Sequence, residues 1–165
     1  MNSLRFHHDF INSIRANFAF LEQPSESRQS PWMLRFYESI CVPGLGRPAV
    51  ACGYFDVFMK VGFIWEPWDE WLDARVYRLP DPRNFEQAAM MPIEWKHVGL
   101  ESLIEAANSA WRPKMTRVST IEQVEDCVRY LAEGLRPVVA DIFEPVRSAD
   151  LVSFPLFEKC AAEKK

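Results

Sequence analysis

At 165 residues, with 48% hydrophobic and 13% aromatic residues, the chain is long enough to bury a real core and too apolar to be disordered. Its formal net charge of −4, with no Lys/Arg cluster beyond the terminal Lys164 and Lys165, excludes the basic stripe of a nucleic-acid binder. No apolar run of about 18 residues is present, and residues 1–9 lack a basic region followed by an apolar stretch. A soluble, cytoplasmic, single domain spanning 1–165 is therefore expected, with neither nucleic acid nor membrane as partner.

In chain order, Phe10, Ile11, Ile14, Phe18 and Leu21 recur at three- and four-residue steps and predict an amphipathic helix that Ser3 can cap. Pro24 and the polar run after it end that helix. Residues 32–42 mix aromatic and β-branched side chains and predict a strand. The segment from Pro43 to Pro48, with Gly44 and Gly46, predicts a turn. A second strand is expected over 49–54. A third is expected over 56–65, where apolar residues on both faces argue for a central position in the sheet. Trp68, Trp71 and Leu72 lie at helical spacing and suggest a short helical turn over 66–73. Residues 74–79 predict another strand, and Pro80 and Pro82 end it. Residues 85–91 fit either helix or strand.

The C-terminal half reads as helical. Leu100, Leu103, Ile104 and Ala107 predict a helix over 99–110, closed by Pro113. Ser119 with Glu122 forms a capping box ahead of the stripe Ile121, Val124, Val128, Leu131 and Leu135, which predicts a helix over 120–133. Pro137 kinks this helix or opens the next, which reaches about 144. Pro155 opens a last short helix to Cys160. Helix first, strands next and helices last is an α+β order. The expected fold is an antiparallel sheet of about four strands, with N-terminal and C-terminal helices packed on one face.

No motif carries catalytic chemistry. The cysteines Cys41, Cys52, Cys127 and Cys160 are far apart in the sequence and read as reduced, buried apolar residues. Cys127 sits beside Val124 and Val128, where burial would raise its pKa and leave it inert. His7 and His8 are adjacent and point about 100° apart on a helix, so they cannot share a metal. His97 alone supports neither a base nor a ligand. The glycines Gly44 and Gly46 lack the third glycine and following helix of a dinucleotide fingerprint. No metal, cofactor or catalytic residue is assigned. The segment of Glu66, Trp68, Asp69, Glu70 and Asp73 combines acids with tryptophan. Aromatic side chains are enriched at interface hot spots, and acids steer a basic partner. These five residues are the candidate partner-binding surface, with a basic protein as the expected partner. The sequence leaves the oligomeric state open.

Three stretches carry a resemblance. They are Phe18-Ala19-Phe20-Leu21, then Leu34-Arg35-Phe36-Tyr37-Glu38-Ser39, then Ser119-Thr120-Ile121-Glu122 with Leu131 and Leu135. Together they resemble a broad group of small bacterial α+β proteins, many of them immunity proteins encoded beside toxins. The tryptophan-acid segment and the proline-rich turns depart from that pattern. The resemblance implies a non-catalytic protein that occludes a partner's active site, and it transfers no catalytic residue. Two other readings stay open: an accessory subunit of a larger assembly, and an enzyme whose site assembles only in the fold.

Overall fold

In the computed structural model of the chain, which describes residues 3–22, 34–41, 49–56, 58–66, 71–79, 96–114, 118–148 and 151–163, the N-terminal apolar stripe begins on helix α1, Ser3–Asn17, with Phe18 and Leu21 following its end. Ser3 is the first residue of that helix and not a cap before it. A turn of 3-10 helix, Ala19–Glu22, continues the chain and buries Leu21. Phe10, Ile14 and Phe18 are fully buried, which is what three- and four-residue spacing produces when one helix face meets a sheet.

The sheet has five antiparallel strands in sequence order. They are β1 (Arg35–Cys41), β2 (Ala49–Phe55), β3 (Met59–Glu66), β4 (Trp71–Arg78) and β5 (His97–Gly99). The expected central strand is indeed the middle one. In register, Val61 sits between Tyr54 and Val76, Phe63 between Cys52 and Ala74, and Trp65 between Val50 and Leu72. Directly opposed residues share a face, so these rows make one continuous apolar layer. Phe18 meets Phe63 at 4.8 Å between ring centroids, and Phe10 meets Trp65 at 5.8 Å.

Two expectations change here. The helical turn expected over 66–73 does not reach its ends: Glu66 ends β3 and pairs with Trp71, which begins β4, while residues 67–70 lie outside the described residues. Trp71, Leu72 and Asp73 are therefore extended. The apolar alternation Leu72, Ala74, Val76, which faces the core layer, overrides the local helical spacing. The sheet also gains β5, three residues long and too short to leave a periodic trace. Its Val98 is buried opposite Val76. The turn predicted at 43–48 and the ambiguous segment 85–91 lie outside the described residues.

Helix α2 (Leu100–Ala107) follows β5 and buries Leu100, Leu103 and Ile104. The long helix α3 (Ile121–Leu135) has its cap one residue later than the sequence suggests. Thr120 Oγ1 accepts from Gln123 N at 3.2 Å, while Gln123 Oε1 accepts from Thr120 N at 3.1 Å. This reciprocal box uses Gln123 and not Glu122, because Gln123 is the third helical residue counted from the Thr120 cap. Pro137 falls in a 3-10 turn, Arg136–Val138, which leads into α4 (Val139–Phe143). A two-stranded hairpin unforeseen in the sequence, β6 (Val146–Ser148) with β7 (Leu151–Ser153), precedes α5 (Pro155–Glu163). All these helices bury side chains in one core shared with the inner face of the sheet, in agreement with the expected α+β class.

The connection between α2 and α3 is held by Trp111, which stacks on Tyr130 at 5.2 Å. Gly134 makes room for it: a Cβ there would stand 2.4 Å from the indole Nε1. Lys114 Nζ lies 4.3 Å above the Tyr130 ring, on the outside of the same stack.

Candidate functional site

The β3–β4 hairpin places the residues singled out in the sequence. Glu66 pairs with Trp71 and Ile64 with Asp73, so Glu66 and Asp73 stand on neighbouring strands near one end of the sheet. Trp68, Asp69 and Glu70 belong to the segment joining these strands and lie outside the described residues. Asp73 Oδ2 accepts from Arg75 Nε at 2.8 Å, with side chains 27% and 43% exposed. Arg75 shares a face with Asp73 two residues along the strand, a period-two relation that a helical reading hides. The acid at this position is thus oriented by a neighbour and still open to solvent.

Arg75 leads onto the outer face of the sheet, away from the helices. Register sets Phe55, Lys60, Tyr77 and His97 in one row across it. Tyr77 and His97 approach at 5.6 Å, and Lys60 Nζ lies 4.6 Å from the Tyr37 ring centre. Lys60 is 2% exposed. Burial pushes the Tyr77 hydroxyl pKa up. Sequence reasoning missed this group because its members are separated by strands and turns, and only the register unites them. A lysine alternating with Met59 and Val61 in a central strand was the one available signal.

Two of the described thiols are held neutral by burial. Burial pushes the Cys52 thiol up to about 12, with Glu38 adding to the rise. Burial, and then Glu101, pushes Cys127 up to about 11. Both are therefore protonated near neutral pH and poor nucleophiles, as the sequence predicts for Cys127. The described free thiols are Cys52, Cys127 and Cys160. Cys52 and Cys127 in the native chain are expected to resist iodoacetamide at about pH 8 and to react once it is unfolded. The linked stability effect has a definite sign. Unfolded thiols ionise near 9.0, below both folded values, so the stability from keeping them neutral is complete below about pH 9. It is lost as pH rises through 11 and then 12. Denaturant midpoints measured from pH 8 upward should fall over that range. Labelling of native Cys52 at the rate of a free thiol would contradict the burial.

Asp56, whose carboxyl pKa is raised by burial, is committed to structure. Its Oδ1 accepts from the N–H groups of Phe58 and Met59, both at 2.7 Å, and so caps the β2–β3 turn. Arg78 donates to Phe58 O at 2.9 Å and Val152 O at 3.1 Å and lies over both the Phe58 and Phe154 rings. It pins the β6–β7 hairpin to the sheet. Among the described residues no group of three or more His, Cys, Asp or Glu is placed to hold a metal. No described helix is long and apolar enough to cross a membrane. Among the described residues, open concavities of about 520, 540 and 600 Å³ are lined without histidine or cysteine. Comparison with protein-family models, curated proteins and solved structures gives no match for this chain.

Proposed function

We propose that this chain is a non-catalytic protein-binding domain of the immunity type, which occludes the active site of a basic toxin or enzyme. The contact surface is the end of the β3–β4 hairpin: Glu66, Trp68, Asp69, Glu70 and Asp73. The observation that carries this reading is the closure of that hairpin at the Glu66–Trp71 pair. The two ends of the acidic segment, Glu66 and Asp73, lie on the most extensively paired neighbouring strands of the sheet, which offer it a rigid mount. A rigid mount lowers the ordering cost of binding. The acids raise the encounter rate with a basic partner, and a tryptophan at the centre of a patch is the commonest kind of hot spot.

The test is capture from a lysate of the source cells with tagged chain at low salt, followed by mass spectrometry. One stoichiometric basic partner is expected, and raised salt should release it, because exposed charge attraction is screened. Retention of no protein at low salt would contradict the reading.

A further inference from the structure

The edge of the sheet offers a second surface, on β1. Asp56 N donates to Met59 O at 2.9 Å, which sets the phase of the ladder. Even-numbered residues of β2 bond to β3, and odd-numbered ones bond to β1. Through the pairs Arg35–Phe55 and Tyr37–Gly53, the odd residues of β1 are then turned inward. Phe36 and Glu38 direct their N–H and C=O groups outward, away from β2. Leu34 confirms the direction, since its N–H is taken on that outer side by Leu21 O at 3.0 Å. No backbone partner for Phe36 or Glu38 on that side is found among the described residues. An open concavity of about 520 Å³ runs beside them, lined by Arg15, Glu22 and residues 34–38.

We propose that two copies of this chain associate through β1, pairing antiparallel about a two-fold axis at Tyr37 to make one continuous sheet. The register follows by elimination. Centring on Glu38 would set two carboxylates directly opposite, which is destabilising. Centring on Phe36 would set Glu38 against Leu34 of the partner subunit, whose N–H is already used, whereas centring on Tyr37 moves that conflict out to Ile40, near the end of the strand. Centring on Tyr37 pairs Phe36 with the partner's Glu38 and Glu38 with the partner's Phe36, each pair exchanging both backbone bonds. It also matches charge. The Arg15 guanidinium lies 4.6 Å above the Phe36 ring and 3.5 Å from Glu22 Oε1, and its side chain is 58% exposed, which leaves room for a second carboxylate. The partner's Glu38, set against Phe36, comes beside it. The same contact repeats across the axis, as a two-fold interface requires. This surface is separate from the β3–β4 hairpin end, so either assignment can fail without the other.

The experiment is sedimentation velocity of the full chain over a broad concentration range, with hydrogen exchange read at the Phe36 and Glu38 amides. A concentration-dependent dimer is expected, with both amides slowing as it forms. Glu38→Pro removes an outward N–H and leaves the bonds to β2 in place, so it should give a monomer. Glu38→Lys, which faces the partner's Arg15, should raise the dimer dissociation constant by about tenfold or more. Arg15→Glu should do the same, and the double variant Arg15→Glu with Glu38→Lys should restore the dimer. A chain that stays monomeric overturns the proposal. So does a dimer whose Phe36 and Glu38 amides exchange as fast as in the monomer, or one that Glu38→Lys leaves unchanged. Protection of those amides only on adding a captured foreign protein would assign the edge to that partner's strand and overturn self-pairing.

Discussion

Gly53→Ala is expected to lower the melting temperature by about 6–12 °C, the equivalent of roughly 3 kcal/mol in a chain of this length. Gly53 faces Gly62 across the β2–β3 ladder. By the phase that the Asp56–Met59 bond sets, this is a pair without mutual backbone bonds, the kind in which Cα atoms come closest. A Cβ on Gly53 would stand 1.9 Å from Val61 O, 3.0 Å from Val61 C and 3.1 Å from Gly62 Cα. All three are backbone atoms, so no rotamer change relieves the overlap. The two strands must separate instead, and they are neighbours at the centre of the sheet. Gly99→Ala is the control. Its Cβ would meet only Ser102 Oγ at 3.6 Å, an ordinary contact, so a change within about 0.5 kcal/mol is expected. Thermal unfolding followed by circular dichroism checks both. A Gly53→Ala chain melting with the unsubstituted protein would contradict the β2–β3 register.

Trp65→Ala is expected to cost about 3–5 kcal/mol, a large part of the roughly 5–15 kcal/mol that holds a domain folded. Trp65 is 2% exposed and packs on Phe10 from α1. Its Nε1 donates to Val118 O at 2.9 Å, just ahead of the α3 cap. One side chain thus ties the central strand to the first helix and to the entrance of the longest C-terminal one. Truncation leaves a cavity and an unpaired buried carbonyl. Trp65→Phe keeps most of the packing and loses only the donor, for which about 1–3 kcal/mol is expected. Urea midpoints for the two variants should rank Ala below Phe below the unsubstituted chain. A Trp65→Ala midpoint close to the original would contradict its place in the core.

The elements with many repeats of one period were legible in the sequence. The stripe Phe10, Ile14, Phe18 and the stripe Val124, Val128, Leu131 became buried helix faces. The two-sided apolar run over 56–65 became β3, the middle strand. Short elements were not legible, because β5, β6 and β7 are three residues each and show no full period. The tryptophan-acid segment misled for a different reason. Trp68, Trp71 and Leu72 fit a helix, while Leu72, Ala74 and Val76 against Asp73 and Arg75 fit a strand equally well. Tertiary pairing with Phe63 and Val61 decided it. The outer-face row of Lys60, Tyr77 and His97 had no sequence signal beyond a lysine in a central strand, because strand register rather than spacing brings those residues together.

The central claim is that the hairpin end between Glu66 and Asp73 is the contact surface. The most direct test is titration calorimetry of the captured partner against the unsubstituted chain and against the double variant Trp68→Ala with Asp69→Lys. Both should show the same thermal midpoint, since the substitutions lie beyond the paired ends of β3 and β4. The account predicts that the double variant weakens binding by at least about a hundredfold, roughly 2.7 kcal/mol. Equal affinity for the two chains, with both folded, would contradict it and move the contact surface elsewhere on the molecule.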